Sequence, residues 1–271
     1  MKRKHGFTLV ELLVVIAVIA LLMSILMPVL RRANDQAKRI LCANHIKNQL
    51  IAMVMYADSH NYKIPVGGGY WPWDVEATVT NQMLKNMGVD LSSLPSATDI
   101  PVEFSVNFYC PANAQQRRFR DQNWNYTVNL ITGAGFRVLG YAYLWAANWN
   151  DKGNITTYPI YKQDKGADKT DPAKKWVTRM DMPQASDAEL IVDATLSDPS
   201  YPIDKYPNGN FAIVTCGGNG NDSTSHLIDD TKPAGGNIGF ADNHVEWRPF
   251  TDMNKRFVVG GGTDGCPRWW W

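Results

Sequence analysis

The sequence has almost no net charge, few cysteines and no C-x-x-C pair, and each shortage removes a class of function. A formal charge of +1 and a pI near 7.7 supply no field to hold a polyanion, and no long basic run follows the N-terminus, so nucleic acid is not an expected partner. The four cysteines, Cys42, Cys110, Cys216 and Cys266, are too few and too scattered for a disulfide-dense scaffold. Neither they nor the histidines show the spacing of a structural zinc site. There is no internal repeat and no nucleophile motif, so an enzyme is not expected.

What is present is uneven. The 45% hydrophobic content is concentrated before residue 31, with ordinary mixed sequence after it. Residues 1–6 read MKRKHG, and residues 7–30 are apolar except for Thr8, Glu11, Ser24 and Pro28. Those 24 residues, at roughly 1.5 Å each, are enough to cross about 30 Å of hydrocarbon as a helix. Lys2, Arg3 and Lys4 keep the N-terminus cytoplasmic by the positive-inside rule and send the chain after Leu30 outward. A secretory signal peptide would end in a small-residue cleavage site, and the following MPVLRRANDQAKR contains none. A plain anchor fits the run but leaves Glu11 unexplained, because a carboxylate within an apolar span is expensive and marks a functional site.

The stretch KHGFTLVELLVVIAVIALL resembles the processing signal of type IV prepilins and type II secretion pseudopilins. That resemblance implies cleavage by a membrane prepilin peptidase between Gly6 and Phe7, methylation of Phe7, and self-association with other pilin-like subunits. It also gives Glu11 an assembly role. Glu11 of one subunit would neutralise the new α-amino group of Phe7 in a neighbour, turning two costly charges into a register-setting pair. Pro28 either breaks the helix, having no N–H to donate, or marks the membrane exit.

From Arg31 to Tyr56 there is no Gly or Pro, and Ile46, Leu50, Met53, Val54 and Ala57 recur at spacings of three and four, so one helix is expected from Phe7 to near Asp58. Gly67-Gly68-Gly69 then marks a loop. Strands are expected at 103–109, 141–145, 189–194, 211–215, 237–241 and 244–247, the last two joined by a two-residue turn at Asp242-Asn243. Residues 112–135 and 148–187 are polar and read as surface excursions. The fold class is therefore α+β, a long N-terminal transmembrane and stalk helix packed on an antiparallel β-sheet head. The expected parts are a leader (1–6), a membrane or filament-core helix (7–30), a stalk helix (31–60), a globular head (61–250) and a C-terminal tail (251–271).

Two further stretches resemble an environmental subgroup of pseudopilin-like proteins. Cys42, Asn44, Lys47 and Gln49, with the later Cys110-Pro111, follow its stalk pattern. The stretch GGNIGFADNHVEW resembles its C-terminal signature, named for a histidine nine residues before Asp-Gly. Here His226 lies further from Asp242, and Asn243 stands in the glycine's place.

His226, Asp242 and His244 offer ligand or acid/base chemistry, although hydrogen bonding of the hairpin is the simpler reading. Asp222, Asp229, Asp230 and Asp242 offer hard oxygen ligands for calcium, without the spacing of a defined calcium loop; no other cofactor is expected. Cys42–Cys110 and Cys216–Cys266 are two disulfides open to the chain in an oxidising space, with free thiols the equal alternative. Ten tryptophans, among them Trp71, Trp73, Trp124, Trp145, Trp149 and the terminal Trp269-Trp270-Trp271, fill a core or stack on sugars; three adjacent indoles cannot all face one core, which points the triplet towards a neighbour or ligand. The function expected is that of a pilin or pseudopilin subunit, anchored in the inner membrane and assembled into an extracytoplasmic filament for type II-like secretion. A membrane-anchored binding module for polysaccharide is the alternative.

Overall fold

The computed structural model describes residues 8–65, 72–92, 100–124, 135–144, 179–181, 185–198, 210–216, 220–253, 255–258 and 268–270. Helix α1, Leu9–Ser59, is 51 residues long. The chain divides into two units, residues 1–38 and residues 39–271. In the first unit every described side chain from Thr8 to Ala37 is exposed, including all the large apolar ones. The helix is unbroken at Pro28, which corrects the expectation of a helix break there. Proline removes a single donor, the one that would have reached the Ser24 carbonyl, and the flanking turns keep their own bonds. A helix in an apolar setting tolerates that loss.

In the second unit the order continues as β1 (Asp74–Glu76), α2 (Ala77–Asn86), a 3-10 turn (Val102–Phe108), α3 (Ala114–Trp124), β2 (Phe136–Val138), β3 (Tyr141–Tyr143), β4 (Glu189–Asp193) and β5 (Leu196–Ser197). Then come β6 (Val214–Cys216), β7 (Gly220–Asp222), β8 (Leu227–Ile228), β9 (Lys232–Pro233), β10 (Gly235–Phe240), β11 (Val245–Pro249), β12 (Lys255–Val258) and β13 (Arg268–Trp270). The central sheet is antiparallel in the order β11-β10-β4-β3. Because side chains alternate along a strand, its two faces take different residues. Tyr143, Ile191 and Gly239 form one cross-strand row, and Ala142, Val192 and Ile238 form the next row, on the opposite face.

Cys42, Ile46, Gln49, Leu50, Met53 and Ala57 make one buried stripe of α1, as the three-and-four spacing predicts, although Val54 stays exposed. Ile46, Leu50 and Met53 join Ile191, Tyr141 and Tyr143 in the main core, each contributing about 1.5–3 kcal/mol. The helix lies very close to β10, since a Cβ at Gly239 would stand 2.5 Å from Ile46 Cγ2 and 2.8 Å from Leu50 Cδ1. Gln49 satisfies its buried amide across the same seam, donating to Asn107 O at 2.7 Å and accepting from Tyr143 Oη at 2.6 Å. The Lys47 ammonium donates to the carbonyl of Asn243, fixing the stalk to the β10–β11 loop.

Several expectations need correction. Residues 103–109 are not a strand, because Pro101 opens a 3-10 turn in which Val102, Ser105 and Phe108 share the inward side at a period of three. The polar stretch after residue 112 contains α3, pinned by the buried Trp124, whose Nε1 donates to Ile100 O at 3.0 Å. Arg137, also buried, stacks on that indole 4.1 Å from its centroid and donates to Thr80 and Trp124 O. Strand β6 starts only at Val214, since Asn210 Oδ1 accepts from the amides of Ala212 and Ile213 and curls the chain first.

The hairpin loop is three residues, not two: Phe240 N donates to His244 O across Ala241, Asp242 and Asn243, and Asn243 takes the left-handed conformation at φ 77°. The C-terminal segment contributes β12 and β13, and β13 lies between β12 and β5 in an antiparallel sheet. Trp270 packs on its own head, donating from Nε1 to Ser197 Oγ at 3.0 Å beside Phe211 and Phe250. Trp71, Trp145, Trp149 and Trp271 lie outside the described residues.

Replacing Gly239 by valine should push α1 away from β10 and destabilise the head by about 1–3 kcal/mol, the cost of overpacking a tight core. Denaturant unfolding of the full chain in detergent, followed by tryptophan fluorescence, measures it; an unchanged midpoint would contradict the packing.

Candidate functional site

Gly6 and Phe7 lie outside the described residues, and the structure begins one residue later. Thr8 caps α1. Its Oγ1 accepts from Glu11 N at 3.3 Å, while Glu11 Oε2 accepts from Thr8 N at 2.8 Å and Thr8 Oγ1 at 2.7 Å. This is a reciprocal capping box, and its Thr-x-x-Glu spacing is readable in the sequence. Beyond it the helix is long and apolar enough to cross a membrane. Glu11 is thus the single carboxylate on an exposed apolar rod running to Leu30, and it is held in a defined place.

The head brings together four residues that sequence spacing does not connect. Cys42 of α1 and Cys110, which follows the 3-10 turn, form a disulfide with a Cα–Cα distance of 5.5 Å. It ties the stalk to that turn. His226 Nε2 lies 3.5 Å from Cys110 Sγ and 3.2 Å from Asp193 Oδ2, with the ring held edge-on by Trp247. Asp193 Oδ2 also accepts from Asn237 N at 2.8 Å and Asn237 Nδ2 at 2.9 Å, while Oδ1 is buried without a partner among the described residues. All four residues are at least 95% buried. Asp193 went unrecognised as a site residue, and its one signal was a carboxylate closing the apolar strand Glu189–Asp193.

Residues 1–27 match the family model described as the prokaryotic N-terminal methylation motif. The chain carries a prepilin-type signal. No curated protein and no solved structure matches the chain. A prepilin-type signal is processed by a prepilin peptidase and implies assembly with other pilin subunits; with the apolar helix behind it, it indicates membrane anchoring. The α+β head on a long helix is pilin-like in architecture. The match ends within the apolar run, so it bears on the signal and not on the head's chemistry.

Behind the prepilin-type signal, the expected grouping of His226 with Asp242 and His244 is not formed. His226 is buried against Asp193, whereas His244 Nδ1 meets Asp242 Oδ1 at 2.5 Å on an exposed loop and its ring stacks on Phe240. Asn243 serves the turn. The four calcium-candidate aspartates are also dispersed: Asp229 and Asp230 sit at positive φ between β8 and β9, Asp242 is in the hairpin loop, and Asp222 ends β7. Among the described residues, the one tight His/Cys/Asp cluster contains none of them. Cys266 lies outside the described residues, as does the structure around its expected bridge to Cys216.

Asp222 carries its own prediction. Burial pushes its carboxyl up to about 6, against the opposing hydrogen bonds that Oδ1 accepts from Ser223 N at 2.7 Å and Asn113 Nδ2 at 3.2 Å. A raised carboxyl in the folded state means the unfolded chain ionises first, so stability should fall as pH rises from about 4 to 6. Asp222→Asn keeps the acceptor and removes the charge. It should raise the unfolding midpoint at pH 7 and leave it nearly unchanged below pH 4; an equal effect at both would refute the burial argument. The disulfide closes a loop with a sequence separation of 68, worth about 4 kcal/mol in chain entropy. A Cys42→Ser, Cys110→Ser chain should lose stability on that scale in urea unfolding.

Proposed function

We propose that this protein is a pilin-like structural subunit, cut by a prepilin peptidase between Gly6 and Phe7, methylated on Phe7, and assembled through α1 into an extracytoplasmic filament of a type II-like secretion system. The observation that carries the reading is an all-round exposed apolar helix with a single, positioned carboxylate near its start. An apolar helix needs a cover, and lipid and like helices are the two that suit it. Before assembly the segment sits in the inner membrane, N-terminus inside and head outside. Within the filament Glu11 pairs with the Phe7 α-amino group of a neighbouring subunit. The capping box supports this, because it sets the carboxylate within a turn of the processed terminus and favours it through the helix dipole. The reading makes the chain a scaffold and not an enzyme.

Mass spectrometry of the mature chain should find methylated Phe7 as its first residue. Glu11→Ala should leave membrane insertion intact and abolish filaments in electron micrographs, whereas filaments of normal number and length would overturn the pairing. Glu11→Gln separates its two roles: the amide can still cap Thr8 but cannot neutralise an ammonium, so this variant should also fail to assemble.

A further inference from the structure

We propose that the Cys42, Cys110, Asp193 and His226 cluster is a redox-controlled metal site, closed by the disulfide in the oxidised chain and taking one divalent ion of the zinc class once the two sulfurs are reduced. The four ligand atoms lie within 4.8 Å of one another. Tetrahedral zinc, with ligands at about 2.0–2.3 Å, separates them by roughly 3.3–3.8 Å, so shifts on the order of 1 Å convert one state to the other. Two sulfurs, an imidazole and a carboxylate suit zinc or cobalt and do not suit calcium or magnesium. Burial of all four residues suits a closed, four-coordinate site rather than one with an open position.

Two independent features point to a cation. Among the described residues, Asp193 Oδ1 is buried with no hydrogen-bond partner, a costly condition that coordination through that oxygen would relieve. The cluster is also braced as metal ligands are. Asn237 holds Asp193 Oδ2 through two N–H groups, Trp247 sets the plane of His226, and the Tyr141 hydroxyl donates towards Cys42 Sγ at 3.7 Å, where it would stabilise a thiolate. His226 already presents Nε2 to both Asp193 and Cys110, and as a ligand it coordinates through that nitrogen with its proton on Nδ1.

The chemistry balances with a phosphine as reductant. Phosphorus gives two electrons to the S–S bond and ends as the phosphine oxide with its oxygen from water, whose two protons complete the Cys42 and Cys110 thiols. Each thiol then releases its proton as its sulfur takes the metal, so two protons leave per ion. Disulfide and ion use the same sulfurs and exclude each other. The inference rests on the head alone and is independent of filament assembly.

The test uses the full chain in detergent, bearing Cys216→Ser and Cys266→Ser so that no other thiol contributes, reduced anaerobically with a phosphine and titrated with Co²⁺. One equivalent should give the intense visible bands of tetrahedral cobalt with a thiolate charge-transfer band, and Zn²⁺ should bleach both. The unreduced chain should give neither. Asp193→Asn and His226→Ala should each weaken binding at least tenfold. If reduction loosens the head, Zn²⁺ should restore its cooperative unfolding transition. The proposal is overturned by a reduced chain that shows no thiolate–cobalt band and gains no stability from Zn²⁺, or by bands of unchanged affinity in both variants.

Discussion

The head is organised by the line along which α1 lies on β10 with no side chain between them at position 239. With only hydrogen on Gly239, Ile46 and Leu50 reach the sheet itself, and that depth fixes where the neighbouring helix residues fall. One turn before Ile46, Cys42 stands by the next row on the same sheet face, where Tyr141 pairs with Asp193. One turn after it, Gln49 meets Tyr143. A helix held further out would leave these polar atoms buried but short of their partners, which is worse than never burying them. Arg39 extends the seam, its guanidinium 4.0 Å over the Trp247 ring and its carbonyl accepting from Asn237.

How much of this could be read beforehand follows from the range of the forces involved. The helix was legible almost to its last residue because its signals are local: an unbroken apolar run, then a three-and-four spacing, then a glycine-rich stretch. The central strands were legible for the same reason. Residues 103–109 were misread because Phe104, Val106 and Phe108 alternate as a strand does, while Pro101 and the period-three set Val102, Ser105 and Phe108 favour a tight turn; the alternation was the weaker signal. Helix α2, with Val79, Met83 and Leu84 buried, went unnoticed beside the glycine-rich stretch that precedes it. The Cys–Asp–His cluster was illegible on principle, since its members come from α1, β4 and two separate loops and only tertiary contacts bring them together.

The cluster also changes what the cysteines mean. Scattered cysteines without C-x-x-C spacing argue against zinc when a single loop must supply the ligands. A long helix that returns to the sheet supplies them from distant points, so that argument loses its force. Of the two states open to Cys42 and Cys110 the bridge is the one present, but it lies beside a buried carboxylate and imidazole that a bridge chosen only for stability would have no use for. Hydrophobic neighbours of similar volume would be as stable and would leave no orphaned oxygen. The polar surroundings therefore call for a state other than the one in which the sulfurs are joined.

At the other end of the chain the question is what a uniformly apolar helix can specify. Lipid covers such a rod without regard to its rotation or its height, and so do like helices if only methyl groups meet. From Leu9 to Leu30 the asymmetry in charge is confined to Glu11, and the capping box keeps that charge at one height and one azimuth. The cost of a carboxylate in an apolar surrounding falls steeply only where a cation meets it, so packing is favourable at one offset between neighbours and unfavourable at others. In the assembly proposed above, processing would supply that cation by exposing an α-amino group at Phe7, one residue before the cap. A leader that kept the chain continuous at Gly6 would leave an amide there in its place, and the offset would carry no preference.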